Sequence, residues 1–157
     1  GVDIADLAIM RAKSILPDIA DSFMCITPYK PLPFKDNCFD IIMSEGVLDS
    51  MTFTLAKNAI KELNRTCNGL TFISLISSAC NHQGQYSAED VIVETQHEQG
   101  TIQSYYNKER IEELLSGTEY KIIWETLHLH CDQNETQISI NREKAIEKNK
   151  SRRNLSI

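Results

Sequence analysis

The segment from residue 32 to residue 51, LPFKDNCFDIIMSEGVLDSM, constrains the fold more than any other part of this 157-residue chain. It opens with a proline-led polar cluster that is typical of a turn. The apolar run Phe39–Met43 follows and predicts a strand that is buried on both faces. This run stops at Ser44, Glu45 and Gly46, which are small, polar or flexible, and a helical pattern begins soon after. A buried strand that turns into a helix in this way is the local geometry of an α/β sheet.

Ligands of open α/β sheets bind beyond the carboxyl ends of the strands. Ser44, Glu45 and Gly46 lie at such an end, and we refer to them as the crest. We therefore expect any binding site of this chain to lie near the crest.

Size and composition restrict the class of protein. A chain of 157 residues with 41% hydrophobic and 24% charged residues predicts one ordinary globular domain. Its net charge of −6 argues against nucleic acid as the main partner, and no run is apolar enough to predict a membrane span. Five scattered cysteines without a CxxC spacing favour reduced thiols and a cytoplasmic location.

Strand and helix patterns alternate along the chain. Helical patterns cover residues 6–16, 53–67 and 107–116, and strand patterns cover residues 1–4, 22–26, 39–43, 70–76, 91–94, 120–129 and 135–141. This alternation predicts an α/β fold with a Rossmann-like, mostly parallel sheet and a C-terminal antiparallel hairpin. The pattern alone also permits other doubly wound folds.

The clearest helix pattern is the one at residues 53–67. Leu55, Ala56, Ala59, Ile60 and Leu63 recur at helical spacing and predict its buried stripe. An Asn-Gly pair directly after it predicts the C-terminal stop of the helix.

Three segments carry a resemblance to a known family. L-P-F followed by a turn and F-D, the opening segment GVDIADLAIMRAK, and the later segment EQGTIQSYYN together resemble class I S-adenosylmethionine-dependent methyltransferases. The resemblance covers the chain up to about residue 141. It implies a methyltransferase-like domain at residues 1–141, followed at residues 142–157 by a polar, basic tail that is a frayed helix or disordered.

The resemblance implies S-adenosylmethionine as the cofactor and suggests residues that bind it. Asp3 would accept the ribose hydroxyls, and Ile4 would pack on the adenine. Thr27 and Pro28 stand where many members carry an aspartate that bonds the adenine amino group, so that contact would differ in this chain. The ordinary alternative for Asp3 is a helix-start aspartate that the helix dipole favours.

By the same resemblance Ser44, Glu45 and Gly46 would bind the cofactor, and Glu45 would contact its amino-acid part or orient the acceptor. Glu45 also fits an ordinary solvated loop carboxylate.

The residues that would carry proton transfer are not evident from the sequence. His82 and His97 lie in predicted loops, and a histidine is the usual general base near neutral pH. His128 and His130 share one face of a strand, but no second ligand pair accompanies them, so we predict no metal. Tyr105 and Tyr106 fit either walls of an acceptor pocket or packing residues.

The glycine-rich loop of the family, which follows its first strand, is not found. The resemblance therefore implies a domain that is incomplete at its N-terminus and lacks the strand in the middle of the sheet. In the family that strand lies between the second and fourth strands, in the order third, second, first, fourth, fifth, seventh, sixth. We expect residues 1–157 alone to bind the cofactor poorly and to associate through unpaired strand edges.

The function that follows is methyl transfer to an unidentified acceptor, which we expect to be a small molecule. One alternative is a cofactor-binding or regulatory domain on the same fold without transfer activity. Another is a different nucleotide-binding α/β protein, such as a dehydrogenase. The sequence gives no indication of the oligomeric state.

Overall fold

The structure, a computed structural model, describes part of the chain. The described residues are 1–27, 30–79, 88–94, 96, 99–131 and 138–148; beyond residue 126, side chains are described only for Ile146. The chain divides into two compact units, Gly1–Pro33 and Phe34–Ile157.

The first unit contains a short two-stranded parallel sheet and one α-helix. Its elements are strand β1 (Val2–Asp3), helix α1 (Asp6–Ile15), a 3-10 helix (Pro17–Ser22) and strand β2 (Met24–Cys25). The Asp6 carboxylate accepts a hydrogen bond from the Leu7 N–H at the start of α1. The helix ends just before Pro17, as the sequence predicts, because proline cannot supply the N–H that would continue it.

The second unit is built on a four-stranded sheet. Its elements are β3 (Phe39–Ser44), α2 (Phe53–Thr66), β4 (Cys67–Ile76), β5 (Asp90–Ile92), β6 (Ile102–Ser104), α3 (Lys108–Leu115), β7 (Tyr120–Cys131) and β8 (Ile138–Lys148). The sheet order is β3-β4-β8-β7, in which β3 and β4 are parallel and β8 is antiparallel to both of its neighbours. This order confirms the predicted α/β class with its C-terminal antiparallel hairpin.

The hydrophobic core of the second unit includes one face of this sheet and residues from both helices. Ala56 and Ile60 of α2 are fully buried, as are Ile111 of α3 and Leu75 of β4. The Thr52 hydroxyl accepts the Leu55 N–H and caps α2. The predicted apolar stripe of α2 is thus confirmed, although Ala59 lies at its half-buried margin.

The predicted role of the Asn-Gly pair as the C-terminal stop of α2 is wrong. Strand β4 begins at Cys67, directly after α2, so the Asn-Gly pair lies inside the strand. Gly69 is needed there because a Cβ atom at this position would overlap the carbonyl oxygen of Asp40 on β3. The glycine therefore reflects close approach of two strands and not a helix C-cap.

Strand β3 has the predicted position but not the predicted burial. It lies at one edge of the four-stranded sheet, and Ile41 and Met43 are 62% and 73% exposed. Only Ser44 at its end is buried, and Ile42 packs partly against the core. Side chains alternate between the two faces of a strand, so Ile41 and Met43 share one face, and their exposure shows that this face is left uncovered.

The C-terminal hairpin is longer than predicted. Strand β8 continues to Lys148, so the expectation of a frayed helix or disorder is wrong for residues 142–148. This part of β8 pairs with β4 on one side and β7 on the other, and these ladders stabilise a strand whose composition is polar. Residues 149–157 lie outside the described part of the chain, and the division into a domain and a tail stays a prediction.

A second, smaller hairpin was predicted only in part. Asp90–Ile92 replaces the expected strand at 91–94, and it pairs with Ile102–Ser104, which the sequence did not predict as a strand. The base of this hairpin is tied to the segment before α2 by a hydrogen bond from the Ser104 N–H to the Asp49 carbonyl, at 2.7 Å.

We expect Ala56→Asp to unfold the second unit. An unpaired carboxylate in the core costs at least about 3 kcal/mol, a large part of the stability of a small domain. Asn58→Asp, on the exposed side of the same helix, is the matched control and should change little. Thermal melts followed by circular dichroism measure both, and equal melting temperatures would contradict the burial of Ala56.

We expect Met43→Lys to reduce association between copies of residues 1–157. A lysine on an exposed edge strand opposes pairing with another edge. Size-exclusion chromatography at several concentrations is the measurement, with Lys35→Met, an exposed position in the loop before β3, as the reverse control. An identical elution profile for wild type and Met43→Lys would exclude β3 as the associating edge.

Candidate functional site

The first unit brings three predicted cofactor residues to one edge of its sheet. Strands β1 and β2 are parallel, and Asp3 pairs with Cys25. Asp3 and Ile4 therefore lie next to the residues that follow β2, and the Ile26 N–H donates to the Asp3 carbonyl at 2.9 Å. Thr27 follows Ile26 directly and is exposed, whereas Pro28 lies outside the described residues.

One carboxylate oxygen of Asp3 makes a structural contact, whereas the other has no protein partner among the described residues. Its Oδ1 accepts the Ala5 N–H at 2.8 Å, which supports the helix-start interpretation. Its Oδ2 has no protein partner among the described residues, and the side chain is exposed. Ile4 beside it is also largely exposed, so an acceptor oxygen and an apolar surface adjoin at this edge.

The crest lies at the carboxyl end of β3, as predicted. Ser44 is buried, whereas Glu45 and Gly46 are exposed. Gly46 has a φ of 63°, in the left-handed region that favours glycine, and its N–H donates to the Ser74 hydroxyl of β4 at 2.9 Å. The crest therefore has a defined conformation that is held to the neighbouring strand.

A further contact holds the segment that follows the crest. The Tyr106 hydroxyl donates to the Leu48 carbonyl at 3.0 Å, and Tyr106 is fully buried. Of the two interpretations of Tyr106, the packing residue is the one that agrees with this burial. Burial also raises the pKa of its hydroxyl, which keeps the side chain a hydrogen-bond donor.

Asp49 is a candidate that the sequence analysis missed. Its side chain is only 5% exposed, and its Oδ1 has no hydrogen-bond partner among the described residues. Burial raises the pKa of this carboxyl group, and the nearby main-chain groups of Asp49 and Ile76 lower it only in part. In the sequence, its position directly after the apolar pair Val47 and Leu48 is the available signal.

Asp90 is the centre of a polar network that was also missed. Its carboxylate accepts hydrogen bonds from the Phe53 N–H at the start of α2, from the Ser104 hydroxyl, and from the Arg110 guanidinium. Burial opposes the charged form, but these donors outweigh it and hold the pKa of Asp90 below its ordinary value. The network therefore fixes an ionised carboxylate beside the base of the β5–β6 hairpin.

Arg110 completes this network from α3. Its guanidinium lies over the Phe53 ring, 4.3 Å from the centroid, and also faces the Tyr106 ring. Its Nε has no partner among the described residues although the side chain is buried. An open depression of about 450 Å³ lies beside it and includes none of the predicted site residues.

Several residues singled out in the sequence lie outside the part of the chain, or outside the side chains, that the structure describes. His82 and His97 lie outside the described residues, and so do the side chains of His128 and His130. Within the described part of the chain, no group of three His, Cys, Asp or Glu side chains could hold a metal ion. In that same part, no helix is long and apolar enough to cross a membrane.

Comparison with solved structures gives the fold. A S-adenosylmethionine-dependent methyltransferase from Methanosarcina mazei matches 94% of this chain and 80% of its own with a TM-score of 0.73, at 15% identity. Magnesium protoporphyrin IX methyltransferase from Synechocystis, solved with bound S-adenosylmethionine, matches 95% of this chain and 58% of its own, with a TM-score of 0.59 at 13% identity. The [4+2]-cyclase SpnF also matches, with a TM-score of 0.65 at 15% identity over 94% of this chain and 65% of its own.

No protein-family model matches the chain, and no curated protein matches it in sequence. The structural matches nevertheless agree with the sheet order, since β3-β4-β8-β7 corresponds to the fourth, fifth, seventh and sixth strands in the order expected from the resemblance. The fold is that of the class I S-adenosylmethionine-dependent methyltransferases.

We expect Asp90→Asn to destabilise the second unit by about 2 kcal/mol near neutral pH, because Arg110 is left buried without its counter-ion. The contribution of the charged carboxylate is present above its ordinary pKa of 3.8 and is lost as pH falls through the lowered value. The difference from wild type should therefore shrink in acid.

Chemical denaturation at several pH values measures this difference. Glu94→Gln, an exposed carboxylate just beyond β5, is the control and should show no such pH dependence. A deficit in Asp90→Asn that stays constant down to the lowest pH would contradict a role for the Asp90 charge.

Proposed function

We propose that this protein binds S-adenosylmethionine and transfers its methyl group to an acceptor, which we take to be a small molecule. The single observation that supports this proposal best is the sheet order, with antiparallel β8 inserted between β4 and β7, in a fold shared with methyltransferases solved with this cofactor. Fold alone does not define activity, so the proposal also depends on the residues at the carboxyl ends of the strands.

The residues at the carboxyl end of β1 fit the adenosine part of the cofactor. A ribose presents two hydroxyl donors, and the unpaired Oδ2 of exposed Asp3 is a suitable acceptor. Exposed Ile4 offers an apolar surface for the adenine ring. Thr27 and Pro28, by the same proposal, line the adenine without an acidic side chain, so main-chain groups would recognise the amino group.

The crest fits the amino-acid part of the cofactor. Ser44, Glu45 and Gly46 lie at the end of β3, and the left-handed conformation of Gly46 favours glycine, whose lack of a side chain leaves its main-chain groups open to a ligand. Glu45 adds an exposed carboxylate that can pair with an ammonium group.

When bound, S-adenosylmethionine supplies a methyl group already activated by the sulfonium. The chain's residues have to hold donor and acceptor in line and keep bulk water away, which accounts for much of the rate in reactions of this kind. An acceptor that carries a proton also needs a base. His82 and His97 remain the proposed candidates for that role, and a cytoplasmic location remains a prediction.

A second candidate function is a different use of the same cofactor-binding fold. The match to SpnF, a [4+2]-cyclase, shows that this fold also carries chemistry other than methyl transfer. The absence of an acidic side chain at Thr27 favours the same alternative. A full-length protein that binds S-adenosylmethionine but forms no S-adenosylhomocysteine with a broad panel of acceptors would support it.

We expect Asp3→Ala to weaken S-adenosylmethionine binding by about 1–3 kcal/mol in the natural full-length protein, because the ribose hydroxyls lose their acceptor. Asp3→Asn keeps an oxygen that can accept the Ala5 N–H. This variant therefore separates the effect of losing that hydrogen bond from the effect of losing the carboxylate. Isothermal titration calorimetry is the measurement, with Asp18→Ala, an exposed aspartate of the same unit, as the control. Unchanged affinity in folded Asp3→Ala would remove Asp3 from the site.

A further inference from the structure

Tyr106 is a buried residue that contacts the chain at the end of β4 and again just beyond the end of β3. Its main chain makes the first of these contacts. The Tyr106 N–H donates to the Ile76 carbonyl at 2.8 Å, and its carbonyl accepts the Ser78 N–H at 2.9 Å, which together form a single parallel bridge with Ser77. The main chain of Tyr106 is therefore fixed to the carboxyl end of β4.

The side chain of Tyr106 makes the second contact, to the segment that follows β3. Its hydroxyl donates to the Leu48 carbonyl at 3.0 Å, and both residues are buried, so water cannot replace this hydrogen bond. The Phe53 ring lies edge-on at 6.1 Å, and the Arg110 guanidinium lies 5.4 Å from the tyrosine ring centroid. Because these neighbours hold the ring, the hydroxyl is a fixed point for the chain beyond β3.

A short turn connects Leu48 to the crest. The Ser50 hydroxyl donates to the Gly46 carbonyl at 2.8 Å and closes a turn over residues 46–50, which we call the crest turn. Leu48 lies at its centre. At the start of the turn, the Gly46 N–H donates to the Ser74 hydroxyl of β4 at 2.9 Å. The crest turn is thus tied to β4 directly at its first residue, and through the tyrosine hydroxyl at its centre.

Ser104, two residues before Tyr106, gives the crest turn another support. Its N–H donates to the Asp49 carbonyl at 2.7 Å, and Ser104 is fully buried. Because this support remains when the tyrosine hydroxyl is removed, its loss should loosen the crest turn and not release it. A buried amide exchanges only when the structure around it opens, so exchange of the Ser104 amide measures this loosening.

We propose that Tyr106 is a positioning residue whose hydroxyl holds the crest turn in register with the end of β4, and so pre-organises the crest for the amino-acid part of the cofactor. The proposal rests on the proposed function, because the crest is where we place those contacts. Tyr106 is buried and acts through the Leu48 carbonyl, without touching the cofactor. A binding segment that is already held in place loses less conformational entropy when its ligand binds.

Tyr120 offers a matched control in the same unit. It is also buried, and its hydroxyl forms a 2.7 Å hydrogen bond with the Thr71 hydroxyl of β4. Thr71 lies well before the carboxyl end of β4, and no hydrogen bond among the described residues joins Tyr120 to the crest turn. Tyr106→Phe and Tyr120→Phe each delete one buried hydroxyl and keep the ring, so the two variants match in chemistry and differ in place.

The experiment compares wild type, Tyr106→Phe and Tyr120→Phe in the natural full-length protein. Chemical denaturation measures the stability of each protein. Hydrogen exchange of the Ser104 amide, recorded without cofactor, measures how often the crest turn opens. Calorimetric titration with S-adenosylmethionine measures the consequence for binding.

We expect both variants to raise the unfolding equilibrium constant by similar factors, about fivefold for the loss of one buried hydrogen bond. Tyr106→Phe should in addition bind S-adenosylmethionine about fivefold more weakly than wild type, because the crest turn loses its central support. Its Ser104 amide should also exchange faster than that of Tyr120→Phe. Tyr120→Phe should bind the cofactor as wild type does.

Several results would overturn the proposal. An equal loss of cofactor affinity in both variants would show an effect of stability alone. Wild-type affinity in folded Tyr106→Phe, or failure of this variant to fold when Tyr120→Phe does, would leave Tyr106 a purely structural residue. Equal Ser104 exchange in the two variants would exclude the support of the crest turn.

Failure of wild type to bind S-adenosylmethionine would instead refute the proposed function. The exchange comparison does not need the cofactor, so it would still decide whether the Tyr106 hydroxyl holds the crest turn.

Discussion

The carboxylate of Asp90 is the interaction on which the second unit depends most. It bonds the first N–H of α2, the Ser104 hydroxyl of β6 and the Arg110 guanidinium of α3, so one charge fixes the starts of two helices and the base of a hairpin. These elements are far apart in sequence, and contacts of this kind form only when the whole unit folds. The charge stays ionised because donors surround it, and Arg110 is in turn held between two aromatic rings.

The polar groups at the carboxyl end of the sheet differ in how well they are paired. Asp90 has three donors, whereas Asp49 keeps an unpaired oxygen at a similar level of the fold. The apolar layer below them, formed by residues such as Ile60 and Leu75, is fully buried. The incompletely paired carboxyl group of Asp49 lies where α/β sheets bind ligands. Structures with this fold carry both methyl transfer and cyclisation, so the fold by itself does not define the chemistry.

The exposure of β3 shows what a local sequence pattern can predict about a strand and what it cannot. The run Phe39–Met43 is apolar enough for a strand covered on both faces, and it does form a strand parallel to β4. Ile41 and Met43 are nevertheless exposed, because they share the face of β3 that nothing covers, whereas Ile42 points to the core face. Apolar composition records what a strand can bury, but the neighbours that bury it are a tertiary property.

The sequence by itself determined the element types that depend on neighbours within a few residues. The stripe of α2 and the strand that ends at Ser44 were both predictable, since periodicity is local. The resemblance to methyltransferases supplied the sheet order. Only the tertiary structure decided the rest: the extension of polar β8 to Lys148 depends on two ladders, and the use of Gly69 depends on the approach of β3. The burial of Asp49 and the pairing of Asp90 with Arg110 could not be predicted from the sequence. Both depend on residues that are distant in the chain, and nothing in the local sequence marks a carboxylate that such residues will bury or pair.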